Sequence, residues 1–216
     1  MSREYPIGRP AAWQRWGSIL LWIALLAAAT VWTLQLNWIP ELSPPFLGGV
    51  AGGLLTVSIT VGWIRNRVDG EITLATAVTL GRGVALAVFA GFLTAGLPAG
   101  RGAWLPAVLF ALAAGLDTVD GAIARATDSV SELGGRLDTE MDGLTVLIGT
   151  LAVVGADLVP VGFLLVGLAR YLFVAGIWLR QRRSLPVYDL PPSQLRRVLG
   201  GLAMATIWLA LLPVIE

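Results

Sequence analysis

Between Asp117 and Asp142 the chain reads DTVDGAIARATDSVSELGGRLDTEMD, a stretch that holds half of its 14 acidic residues and lies between two long apolar runs. A carboxylate at the bilayer centre costs about 3 kcal/mol on insertion scales, so acids with apolar flanks usually face a polar cavity. Asp117, Asp120, Gly121 and Ala124 stand at i, i+3, i+4 and i+7, which is one stripe of a helix. Gly134, Asp138, Asp142, Thr145 and Gly149 form a second stripe of small and polar residues. Each stripe sets two carboxylates beside positions that have little or no side chain.

The depths of the two stripes match. At a rise of about 1.5 Å per residue, Asp120 lies roughly 7 Å before Arg125 and Asp138 roughly 6 Å after Gly134, with Asp117 and Asp142 each about 12 Å in. An antiparallel hairpin therefore brings four carboxylates together in two layers. They cannot all stay ionised without cations, because a like charge raises a carboxylate's pKa. Mg²⁺ or Mn²⁺ supplies the charge and prefers oxygen ligands. Room for two ions suggests a displacement at phosphorus, with the ions clamping the attacking and leaving oxygens. Asp128, Glu132 and Glu140 lie off the stripes or in the turn, and are expected to be surface acids paired with Arg125 and Arg136.

The elements that position these groups are helices in a membrane. Of 216 residues, 56% are hydrophobic and 13% charged, and the mean hydropathy is +0.77. With no Cys and no His, thiol and imidazole nucleophiles, disulfides and the usual zinc ligands are excluded. The fold class expected is all-α, a polytopic transmembrane helix bundle of about seven spans: 17–36, 46–64, 77–97, 104–124, 134–154, 161–179 and 198–213. The first run is too long for a signal-peptide core, which spans roughly 7 to 15 residues, and is read as a retained span. Gly48, Gly49, Gly52 and Gly53 offer close helix packing. Thr79 and Arg82 share a face at the start of the third span, where Arg82 either snorkels to the interface or joins the site. Asp157 and Pro160 mark a tight turn. Placing the N-terminus in the cytoplasm gives that side every loop arginine except Arg101, as the positive-inside rule expects. The acidic hairpin then opens to the cytoplasm from the cytoplasmic membrane.

The order Asp117, Asp120, Gly121, Ala124, Arg125, Gly134, Asp138, Asp142 resembles the signature of the CDP-alcohol phosphotransferases, with every fixed position at the family spacing. The resemblance covers roughly residues 72–213. It separates a catalytic core, 72–216, from an N-terminal segment, 1–71, with two additional spans. It implies integral membrane enzymes of phospholipid synthesis that move a phosphatidyl-type group from a CDP-linked lipid to an alcohol and release CMP. On the same basis Asp117, Asp120 and Asp138 bind the divalent metals. Asp142 deprotonates the acceptor hydroxyl and also touches a metal. Gly121, Ala124, Arg125 and Gly134 meet the CDP-lipid, as do Thr79 and Arg82. The usual Pro-Asn before these last two is replaced here by Ala75 and Thr76. A homodimer is also implied, for which Gly48 to Gly53 offer a contact. No nucleic-acid partner is expected.

The acceptor is read from arginines. Arg170 lies mid-span, where an anionic partner is required, and Arg196 and Arg197 open the last span. Arginine binds phosphate in a bidentate, permanently charged manner. A phosphorylated acceptor, such as glycerol phosphate or inositol phosphate, is therefore expected ahead of serine, choline or ethanolamine. The other reading of Arg170 is a salt bridge to a motif Asp, and that of Arg196 and Arg197 is positive-inside anchoring. An intramembrane prenyltransferase would carry two Asp-rich motifs far apart in sequence, whereas both pairs here lie in one stretch. A cation carrier would need access from both sides, whereas these acids cluster near one boundary.

Overall fold

The computed structural model describes residues 10–38, 43–68, 74–126, 131–188 and 193–213, with side chains from residue 17 onward apart from 74, 75 and 117–126. Among the described residues every regular element is helical: α1 (Pro10–Asn37), α2 (Pro44–Arg65), α3 (Leu74–Phe89), the short α4 (Gly91–Ala95), α5 (Leu105–Ala126), α6 (Glu132–Gly155), α7 (Leu164–Arg182) and α8 (Gln194–Ala210).

Local chemistry accounts for the helix ends. Ser43 caps α2, accepting the Phe46 N–H at 3.3 Å, and prolines occupy its first turn, where an N–H would go unused. Ser131 caps α6 through the Gly134 N–H at 3.0 Å, and Ser193 caps α8. After α6 the chain turns at Asp157, whose φ of 56° lies in the left-handed region that Asp tolerates better than most residues. Within α1 the hydroxyls of Thr30 and Thr33 donate to carbonyls one turn back, which satisfies them without water.

Gly17–Asn37, Pro44–Arg65, Thr76–Ala95 and Val161–Arg182 are each long and apolar enough to cross a membrane. The remaining helices of the expected seven are present but do not pass that test, for two reasons. α5 and the first half of α6 carry the motif acids within their length. The other, α8, has 17 residues.

α3 is the centre of the bundle. Val84 to Ala90 are buried on every side, and the helix packs against α1, α2, α5 and α6. α7 is the opposite case, with Gly167 its one buried residue. Small residues set the closest approaches. A Cβ on Gly53 would lie 2.8 Å from Ala87 Cα, and one on Gly49 2.8 Å from Gly91 Cα, so α2 meets α3 and α4 almost backbone to backbone. Gly48 and Gly52 meet nothing within 4 Å. The glycine cluster proposed as a dimer contact is thus divided, with half of it used inside the chain.

Candidate active site

The polar face of α3 runs through Thr76, Thr79 and Arg82, all buried. Thr76, the residue that departs from the family pattern, faces Gly134: a Cβ there would lie 3.7 Å from Thr76 Oγ1 and 3.1 Å from Ser131 Oγ. Glycine at 134 thus keeps the first turn of α6 close to α3 and to its own cap.

Arg82 is 1% exposed and is the largest fully buried side chain described. Its Nε donates to the Ala113 carbonyl at 2.9 Å, one terminal nitrogen to Asp138 Oδ1 at 2.6 Å and the other to Asp142 Oδ1 at 2.5 Å. Charge-assisted bonds of this length are among the stronger contacts in a protein. Burying the guanidinium costs several kcal/mol unless counter-charges and hydrogen bonds offset it, so both aspartates are integral to its placement. The interfacial, snorkelling alternative for Arg82 is thereby ruled out. Arg82 also joins α5 to α6, because Ala113 lies one turn before Asp117.

Asp138 and Asp142 remain open on another side, with about a third of each side chain exposed: 34% and 37%. They are hard, anionic oxygen donors one helical turn apart, and so fit a divalent cation. Among the described residues there is no cluster of three acidic side chains. The other expected donors, Asp117 and Asp120, lie on α5 but outside the described side chains, as do Gly121, Ala124 and Arg125.

Arg170 does take an acidic partner, and among the described side chains it is Glu140, not Asp138 or Asp142. Its terminal nitrogen lies 2.5 Å from Glu140 Oε1, and both side chains are partly buried. Glu140, expected as a surface acid bound to Arg125 or Arg136, is therefore a helix-to-helix counter-ion. The pairing was foreshadowed by the need of a mid-span arginine for an anion, together with the position of Glu140 two residues from Asp138 and hence on another face. Arg136 pairs instead with Glu132, one turn away on the exposed side of α6. Arg170 also lies directly across Gly143, where a Cβ would sit 2.5 Å from Arg170 Cδ and 2.8 Å from Nε. The neighbouring Tyr171 hydroxyl is buried and has no hydrogen-bond partner among the described residues.

Two further expectations are relocated. Gly149 belongs to packing, since a Cβ there would run into the Phe110 ring and lie 2.9 Å from Ile207 Cγ2. Thr145 is buried and donates within its own helix to Met141 O at 2.8 Å. Arg196 and Arg197 are exposed in the first turn of α8.

No curated protein and no solved structure matches the chain. A sequence model of the CDP-alcohol phosphatidyltransferases matches residues 72–215, which includes both acidic helices and the arginine that joins them. That family comprises membrane transferases of substituted phosphate groups in phospholipid synthesis, which generally use divalent metal ions to pass a phosphatidyl group from a CDP-alcohol to an alcohol. With a buried arginine holding two of its motif aspartates and a match over most of its length, the chain belongs to the CDP-alcohol phosphatidyltransferase family.

Proposed function

We propose that the protein transfers a diacyl or diether glycerol phosphate group from a CDP-linked lipid to the hydroxyl of a small phosphorylated alcohol, such as glycerol phosphate or inositol phosphate. Two Mg²⁺ or Mn²⁺ ions held by Asp117, Asp120, Asp138 and Asp142 serve the reaction. When bound, they neutralise the diphosphate and the crowded carboxylates. The acceptor oxygen forms a bond to the lipid phosphorus, the bond from that phosphorus to the CMP phosphate oxygen breaks, and the hydroxyl proton passes to Asp142. Thr79, Gly121, Ala124, Arg125 and Gly134 receive the CDP-lipid. Arg170, Arg196 and Arg197 receive the acceptor phosphate.

The observation that carries the acceptor reading is the position of Arg170 across Gly143, the residue that directly follows Asp142. The guanidinium there lies on the Glu140 face of α6, one residue along the helix from the group assigned to the acceptor hydroxyl. One observation favours the alternative of an unphosphorylated amino alcohol: Glu140 already balances the charge of Arg170.

The site opens to the cytoplasm in this reading. Arg67 stacks over Trp63 and Arg182 over Trp178, each 4.1 Å from the ring centroid. These pairs end α2 and α7, which the alternation of spans places on the same side, and they suit a membrane interface. The test is CMP release by the purified protein from one CDP-lipid with Mg²⁺, across a panel of glycerol phosphate, inositol phosphate, serine, choline and ethanolamine. Release with a phosphorylated acceptor is expected. Release with serine or choline alone would move the assignment to the alternative, and none with any alcohol would remove the acceptor reading.

A further inference from the structure

Arg82 has surroundings that suit a task other than holding the nucleotide. Its guanidinium is shut off from solvent, the residue being 1% exposed, while the carboxylates it touches are about a third exposed. Each of its three nitrogens also donates to a different group: Nε to the main chain of α5, and the terminal pair to carboxylates one turn apart on α6. A planar guanidinium with donors in fixed directions constrains the relative orientation of its acceptors, which a lysine ammonium cannot do. Gly83, the next residue, is pressed by α2: a Cβ there would lie 2.9 Å from Val57 Cγ1, with Met141 Sδ of α6 at 3.5 Å. The backbone that presents Arg82 is thus packed from behind.

We propose that Arg82 is a positioning residue: it sets the spacing and orientation of the Asp138 and Asp142 carboxylates and ties them to α5 one turn before Asp117, and it is not a ligand of the CDP-lipid diphosphate. The inference rests on the reading of Asp138 and Asp142 as metal and proton-transfer groups. It extends that reading to a side chain that never meets substrate.

The test compares Arg82→Lys and Arg82→Gln with the wild-type full-length protein. It measures kcat and both KM values by CMP release, and Mn²⁺ affinity by calorimetry with no lipid present. Both variants are expected to lose about 10- to 100-fold in kcat and in Mn²⁺ affinity, as partners that orient ligands typically do. The CDP-lipid KM should not change. A raised CDP-lipid KM with kcat and Mn²⁺ affinity intact would make Arg82 a diphosphate ligand and overturn the proposal. So would wild-type kcat and Mn²⁺ affinity in Arg82→Lys, because charge without the fork would then suffice.

If neither Arg82 variant folds, Asp138→Asn and Asp142→Asn are melted without divalent ions. Each should lower Tm by removing a counter-charge from the buried guanidinium. A raised Tm, the result for carboxylates that mainly repel one another, would overturn the proposal. Mn²⁺ affinity and Tm need no substrate, so a wild-type protein that is inactive with every alcohol in the panel would refute the acceptor reading without touching this one.

Discussion

At the scale of single residues, the site depends on charges that a low-dielectric bundle accepts only in pairs. Arg82 has Asp138 and Asp142, and Arg170 has Glu140. Removing Asp138 or Asp142 leaves the buried Arg82 guanidinium undercompensated, at a cost of up to about 3–5 kcal/mol. With Arg170 assigned to the acceptor phosphate, Arg170→Ala is expected to raise the acceptor's KM far more than that of the CDP-lipid. Gly143→Ala tests the same corner without touching a charge. Its Cβ would meet Arg170 at mid-chain, so the guanidinium must move, and the acceptor's KM should rise by about tenfold, or about 1.4 kcal/mol. Equal effects on both substrates in steady-state CMP release would sever Arg170 from the acceptor. Asp142→Asn should abolish turnover and leave CDP-lipid binding intact by equilibrium binding. Near-normal turnover would remove Asp142 as the base.

At the scale of elements, α3 is inserted between the two acidic helices and α2 supports it from behind. The acidic pair was legible as two stripes on neighbouring helices, which implied a hairpin closing on itself. α5 and α6 do touch, yet α3 packs on both and its arginine spans them. α2, outside the part of the chain that the family model matches, buries Val57 against Gly83 and also reaches α6. The additional N-terminal helix is thus part of the scaffold behind Arg82. Gly53→Leu should show this, because its side chain would collide with the Ala87 main chain, which cannot step aside. A drop in Tm corresponding to about 1–3 kcal/mol is expected from the overpacking, along with a fall in CMP release. Gly52→Leu, at a position with open space, should leave both unchanged. If Gly53→Leu loses no activity, α2 is independent of the site.

At the scale of the whole molecule, the distribution of the arginines predicts a cytoplasmic N-terminus. Because the chain has no Cys, one introduced thiol reports its side directly. Arg101→Cys, between α4 and α5, should react with an impermeant maleimide on intact cells. Arg183→Cys, after α7, should react only once the cells are opened. Both positions are exposed. The reverse pattern would place the acidic site on the outer face. Four long apolar spans, with α5 and α6 partly polar, describe a bundle whose least lipid-like helices carry the motif acids.

What the sequence determines by itself is local. Apolar run length, prolines and the turn at Asp157 place most helix ends within a few residues, because each depends on neighbours in the chain. Motif spacing likewise identifies Asp138 and Asp142 as sharing a face, since the helical period fixes it. The tertiary structure alone decides which faces meet. Arg82 finds its carboxylates 56 and 60 residues away, and Arg170 finds Glu140 at a separation of 30. In lipid, apolar surface gains little by facing another helix rather than a lipid tail, so hydropathy does not say how a span is rotated. Rotation is set instead by close contacts at Gly49, Gly53, Gly143 and Gly149 and by the need of each buried charge for a partner. Those are properties of assembled helices, and they turned Glu140 from a surface acid into a counter-ion and made Arg82 a link between three helices.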